Sequence, residues 1–212
     1  MAKQTVVILG STGMLGSMLT RVFAAAGEVD LIAVDRRTLD AAHATVDDIA
    51  QVLHKAHWVI NAMGITKPHI HDDAREVERA IQVNAMFPHQ LAHAARRTRT
   101  QVIQIATDCV FSGQTGQYTE ADHHDATDVY GKTKSLGEVV RPGFYNLRCS
   151  IIGPEKKGHQ SLLDWFLRQP KKFAWAFYFN QTQALLHHAR IRSACLLGKV
   201  RLIRRKRLQK GI

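Results

Sequence analysis

The first 27 residues constrain the chain more than any other stretch. TVVILG is a short apolar run closed by glycine, and STGMLGSMLTRVFAAAG follows with Met14, Leu15, Met18, Leu19, Val22 and Phe23 at helical spacing until Gly27. This reads as strand, tight turn and helix. Gly10, Gly13 and Gly16 fall at the junction in GxxGxxG spacing, which differs from the GxGxxG fingerprint but permits the same sharp turn and close backbone approach. Amides exposed at a helix N-terminus accept phosphate oxygens. The junction therefore predicts a dinucleotide loop built from Gly10, Thr12, Gly13, Met14, Leu15 and Gly16.

The pattern then repeats. VDLIAVD supplies a second strand, Asp47 to Leu53 a short helix or turn, and HWVINA a third strand. Residues 72–100 read as one long helix bent near Pro88; QVIQIAT is a further strand, residues 130–140 a helix and FYNLRCS another strand. Alternating apolar strands and helices predict an α/β fold, a Rossmann-type parallel sheet with helices on both faces. Asp35 ends the second strand 19 residues after Gly16, where a carboxylate can bond an adenosine ribose diol. Arg36 or Arg37, which follow, can instead neutralise a ribose 2′-phosphate. NADPH and NADH both stay open as cofactors, with a lean to NADPH. The Asp47–Asp48 pair fits either the adenine edge or a solvated surface.

With 212 residues, 45% of them hydrophobic, the chain can bury one substantial core. MAKQTVVILG lacks the pattern of a signal peptide and no segment reads as a membrane span, so a cytoplasmic protein without a transmembrane segment is expected. Cys109, Cys149 and Cys195 are too far apart for a metal knuckle and odd in number, which predicts free thiols. The histidines, among them His69, His71, His123 and His124, lack a standard ligand spacing, and no metal site is expected. The net charge of +11 is uneven. Residues 1–150 hold 15 Lys and Arg against 16 Asp and Glu, whereas residues 151–212 hold 14 against 2. Basicity thus belongs to the end of the chain, which argues against specific nucleic-acid binding by the main domain. After Lys172 no acidic residue occurs, and the sequence divides into a dinucleotide-binding domain over 1–170 and a basic, poorly packed or helical tail over 171–212.

Tyr130 and Lys134 are four residues apart, so a helix presents both on one face. In carbonyl reduction a tyrosine hydroxyl gives a proton as hydride reaches carbon, and a nearby ammonium favours the phenolate needed in the reverse direction. Thr107, at the end of a strand, can donate to the same oxygen. These three are the candidate catalytic residues.

GSTGMLG at 10–16, VINAMGIT at 59–66, VNAMFPHQLAHAA at 83–95, ATDCVFSG at 106–113, YGKTKSLGE at 130–138 and LRCSIIGPE at 147–155 together resemble the extended short-chain dehydrogenase/reductase family. The resemblance is closest to its dTDP-4-dehydrorhamnose reductase-like branch and covers about residues 4–170. It implies an NAD(P)-binding sheet with Thr107, Tyr130 and Lys134 at the catalytic positions, Lys134 also contacting the cofactor ribose. Asn84 matches the family's helix asparagine beside the active site. Ala62, Met63 and Gly64 match the loop along the nicotinamide-side ribose, and Ile151, Ile152 and Gly153 follow the strand bordering the nicotinamide pocket. The implied substrate is a nucleotide-activated 4-keto-deoxysugar. Sugar-nucleotide epimerisation or dehydration is an alternative, and so is a non-catalytic NAD(P)-binding protein. Two departures stand out: Asp125, Ala126 and Thr127 replace a proline-containing approach to the tyrosine, and no sugar-nucleotide domain follows, as expected of a truncated or frameshifted member. A homo-oligomer is a further expectation.

Overall fold

The structure, a computed structural model, describes residues 2–71 and 73–151. Five strands form one parallel sheet: β1 (Gln4–Leu9), β2 (Val29–Val34), β3 (Trp58–Asn61), β4 (Gln101–Ala106) and β5 (Phe144–Arg148), in the order β2-β1-β3-β4-β5. The register is regular; Val6 lies between Leu31 and Trp58, and Ile103 between Ile60 and Tyr145. Val6, Val7, Ile8 and Leu9 are all buried, so β1 is covered on both faces and its apolar run is continuous rather than alternating. The chain order reverses between β1 and β3, the place where such sheets open a crevice at their carboxyl ends.

Helix α1 (Met14–Ala26) turns Leu15, Leu19 and Phe23 inward and ends on Gly27, whose φ of +64° suits a residue without Cβ. Helix α2 (Val46–Val52) starts with a reciprocal cap in which Thr45 and Asp48 bond each other's backbone amides. Helices α3 (Ala74–Ala80) and α4 (Phe87–Thr98) are joined without a break by a wide π turn, Ile81–Met86. The single helix expected over 72–100 is thus three joined segments, and the irregularity lies just ahead of Pro88. Phe87, Leu91, Ala94 and Ala95 of α4 meet Ile49, Leu53, Val7, Val59 and Val102 in one core layer. Each fully buried large side chain there contributes about 1.5–3 kcal/mol.

Helix α5 (Val129–Leu136) is capped by Asp128, whose carboxylate accepts the Gly131 amide at 2.8 Å. It stops at Gly137, shorter than the 130–140 reading. A Cβ on Gly137 would overlap the Asn84 carbonyl, and one on Gly131 would overlap the Cys109 carbonyl and Ala126. Two glycines therefore let α5 lie directly on the π turn and on the loop after β4. Among the described residues no helix is long and apolar enough to cross a membrane. Ile152, Gly153 and the proposed boundary at residue 170 lie outside the described residues.

Candidate functional site

The glycine loop is held by its own backbone. The amides of Gly10 and Ser11 both donate to the Val34 carbonyl at 3.0 Å, and the Gly13 amide donates to the Gly10 carbonyl at 3.0 Å. Gly10 has φ +77°, and a Cβ there would press on Met63 and the Ala62 carbonyl. A Cβ on Gly16 would overlap the Gly10 carbonyl. Gly10 and Gly16 are thus required by packing alone, whereas a Cβ on Gly13 meets only the Gly10 carbonyl oxygen at 3.4 Å. Gly13 caps α1 with no side-chain hydrogen bond, no acidic residue follows in the first turn, and Thr12 and Gly13 are exposed. Open amides over a positive helix end form a cradle that fits a pyrophosphate. Leu15, by contrast, points into the core.

Asp35 sits at the carboxyl end of β2 and is occupied by its own turn. Its Oδ1 accepts from the Arg37 amide, the Thr38 amide and the Thr38 hydroxyl at 3.0–3.1 Å, and its Oδ2 from Arg37 Nε at 3.3 Å. The backbone bond to Thr38 is the main influence that holds this carboxyl below its usual range. Arg36 turns to Asp40 (3.2 Å), whereas the Arg37 side chain is 94% exposed. Asp48 is spent on the Thr45 cap and Asp47 bonds Arg97 at 2.6 Å, so both of that pair serve helix ends.

Beyond β3, the Asn61 side chain donates to Gln104 at 2.8 Å and accepts the Met63 amide at 3.1 Å, shaping the Ala62–Met63–Gly64 turn. Asn84, in the π turn, closes that loop from the other side: its Oδ1 accepts the Ile65 amide and its Nδ2 donates to the Ile65 carbonyl, both at 2.9 Å, and also to Thr133 Oγ1 at 3.3 Å. A Cβ placed on Gly64 would be 3.9 Å from Lys134 Nζ, so the Gly64 backbone and the amine share one small space.

Thr107, Tyr130 and Lys134 converge at the carboxyl end of β4. Burial pushes the Tyr130 phenol up, while the Thr107 hydroxyl facing it pulls it back down. Thr107 Oγ1 also accepts the Cys109 amide at 3.2 Å. Lys134 is buried, and its Nζ donates to the Ile105 carbonyl at 2.9 Å. Desolvation lowers its pKa to about 8. The ammonium is therefore aimed at the strand end, and burial, not a neighbouring cation, leads the phenol's shift. A neutral phenol beside a hydroxyl donor is a proton source for a carbonyl oxygen placed between them. Among the described residues no group of three or more His, Cys, Asp or Glu is placed to hold a metal.

Sequence reasoning missed several contributors. The Ile105 carbonyl carries no side-chain signal at all. Lys67 reaches across to Asp128 at 2.9 Å and ties the loop after β3 to the start of α5. Asp125 accepts the Ser112 amide and hydroxyl at 2.7 and 2.6 Å and the Tyr118 hydroxyl at 3.2 Å, so the departure from proline before the tyrosine supplies a side-chain brace instead. The helix expected over 130–140 runs through Gly137, and the close approach of that residue to Asn84 carries no sequence signal.

The glycine cradle at the switch point and the Thr107–Tyr130–Lys134 cluster define a Rossmann-type protein of the extended short-chain dehydrogenase/reductase class. Residues 4–152 match the model of the RmlD substrate binding domain, and the chain belongs to that family. It is 32% identical over 135 residues to the dTDP-4-dehydrorhamnose reductase of Aggregatibacter actinomycetemcomitans, covering 62% of this chain and 45% of that protein. It is 31% identical over 141 residues to the spore coat polysaccharide biosynthesis protein SpsK of Bacillus subtilis, covering 64% and 47%. Among solved structures, a dTDP-4-dehydrorhamnose reductase of Clostridium acetobutylicum aligns with a TM-score of 0.67 at 26% identity, over 77% of this chain and 58% of that one. The enzyme of Bacillus anthracis, solved in complex with NADP, aligns with a TM-score of 0.62 at 25% identity, over 70% and 54%. The chain spans about half the length of the curated relatives it matches.

Proposed function

We propose that this chain acts as an NAD(P)H-dependent reductase of a nucleotide-activated 4-keto-deoxysugar, the substrate class named for its dTDP-4-dehydrorhamnose reductase relatives. The observation that carries the reading is the convergence of a buried Thr107, a phenol and a buried amine at the end of β4, beside the Ala62–Met63–Gly64 turn that packs on Gly10. A bound nicotinamide supplies the hydride. Tyr130 gives its proton to the carbonyl oxygen, Thr107 donates a hydrogen bond to that oxygen, and Lys134, anchored on Ile105, orients the ribose beside Gly64. The first amides of α1 hold the pyrophosphate over the turn that Gly10, Gly13 and Gly16 permit, and Ala62, Met63 and Asn84 shape the loop along the ribose. NADPH is the preferred cofactor, because Asp35 already spends its carboxylate inside its own turn, while the exposed Arg37 guanidinium, bonded to Asp35 through Nε, carries further donors that can meet a 2′-phosphate.

The test is direct. The purified chain is titrated with NADPH and NADH, then assayed for NADPH oxidation with dTDP-4-dehydrorhamnose. Tighter NADPH binding with substrate-dependent oxidation is expected, and Tyr130→Phe should bind NADPH normally while losing turnover by roughly 10²–10⁴-fold. Unchanged turnover in Tyr130→Phe would remove that residue from proton transfer. Product isomerisation without net NADPH consumption would assign the chain to epimerisation instead. The same reading places the protein in the cytoplasm as a homo-oligomer, which cell fractionation and sedimentation check.

A further inference from the structure

The segment between Val110 and Asp128 crosses the face of α5 and is fastened there by one histidine. Arg148, at the end of β5, donates Nε to Glu138 Oε1 at 2.8 Å and Nη2 to Glu138 Oε2 at 2.7 Å, a two-pronged pair in which the Glu138 side chain is only 8% exposed. The same Nη2 lies 2.6 Å from His124 Nε2. A guanidinium has donors only, so Nε2 must be the acceptor and the ring proton sits on Nδ1. His124 Nδ1 is 2.7 Å from Ser135 Oγ, which therefore accepts that proton. The 3.8 Å separation between His124 Nε2 and Glu138 Oε2 is beyond hydrogen bonding, and Arg148 takes that oxygen. Phe111 packs under the cluster, edge-on to His124 at 5.5 Å, stacked on Tyr118 at 4.5 Å and covered by the Arg148 guanidinium at 5.2 Å.

Ser135 is the residue after Lys134. The chain of contacts thus runs from β5 through Arg148 and His124 to the turn of α5 that carries the amine, while Phe111 and Ala126, whose amide donates to the Val110 carbonyl at 3.1 Å, hold the loop that begins at Thr107. We propose that His124 is a positioning residue, which as the neutral Nδ1–H tautomer locks α5 to the loop after β4 and so sets the distance between Thr107 and the Tyr130–Lys134 pair. The proposal rests on the reductase reading for its kinetic consequence, but not for its structural one.

The test is a double-mutant cycle on His124 and Ser135 in the full chain. His124→Ala and Ser135→Ala should each lower kcat by roughly tenfold, the scale on which displacement of a reacting group registers, with the NADPH Kd within about twofold of wild type. The double variant should lose no more than either single, since both cut one contact chain. His124→Asn, which keeps a donor where Nδ1 stands, should recover most of the loss. Additive losses, unchanged kcat, or a kcat loss matched by an equal loss of NADPH affinity would overturn the proposal. Nitrogen NMR of His124 and an NMR titration of the Lys134 amine read the same device without turnover. An Nδ1–H tautomer in wild type, and a Lys134 pKa that climbs from about 8 toward the ordinary lysine value in His124→Ala, are expected. If wild type reduces no keto sugar but both NMR results hold, the reductase reading fails and the positioning role stands. If the tautomer is absent or the amine titration is unmoved, the positioning role fails whatever the activity.

Discussion

Lys134 brings an amine into a site where burial pushes its pKa down to about 8 from the ordinary 10.5. Below pH 8 the amine is charged in both folded and unfolded chains, and the folded state carries the whole desolvation cost. Between about 8 and 10.5 only the unfolded chain holds the proton, so stability rises with pH across that window. At about 1.36 kcal/mol per unit, the cost below pH 8 is on the order of 3 kcal/mol. Lys134→Met should therefore melt higher than wild type at pH 7 while losing turnover, with the gap in Tm narrowing as the pH is raised through the window. A variant that melts lower at pH 7 would mean that the bond to Ile105 outweighs the desolvation. Asp35 makes the complementary point: its four internal hydrogen bonds hold the turn after β2. Asp35→Ala should lower the melting temperature by releasing the turn after β2, and should reduce NADH and NADPH affinity alike if the carboxylate serves the turn. A selective loss of NADH affinity would return Asp35 to the ribose diol.

At the scale of elements, three glycines that look alike in sequence do different work. Gly16 and Gly137 are contact points where a Cβ would strike the backbone carbonyls of Gly10 and Asn84, whereas Gly13 has room. Gly16→Ala and Gly137→Ala should each cost about 1–3 kcal/mol by overpacking, measured by denaturant unfolding. Gly13→Ala should leave stability within about 0.5 kcal/mol but weaken NADPH binding, because it adds a methyl at the exposed residue that caps the helix end proposed to meet the phosphate. Destabilisation by Gly13→Ala as large as that by Gly16→Ala would show that the loop is a structural turn first. The π turn belongs at this scale too. It widens the helix between α3 and α4 so that Asn84 reaches both polar groups of Ile65 and the Thr133 hydroxyl together, an arrangement that a regular helix over 72–100 does not anticipate.

For the whole molecule, a ligand that binds only the folded state stabilises it by mass action. NADPH at 100 times its Kd should add about 2.7 kcal/mol, and the Tm rise should vanish in Gly13→Ala if the cradle is the site. The sequence alone determined the five strands and the glycine junction and singled out Thr107, Tyr130 and Lys134 as candidates, because a short apolar run closed by turn residues marks a strand and helical spacing marks the buried face of a helix. Both are local periodicities. Tertiary structure decided what those residues face: Ile105 for Lys134, Ser135 and Arg148 for His124, Lys67 for Asp128 across 61 positions. Those pairings arise from crossover geometry and from the need of buried polar groups to find partners, and a partner drawn from a distant strand leaves no periodic trace in the chain that needs it.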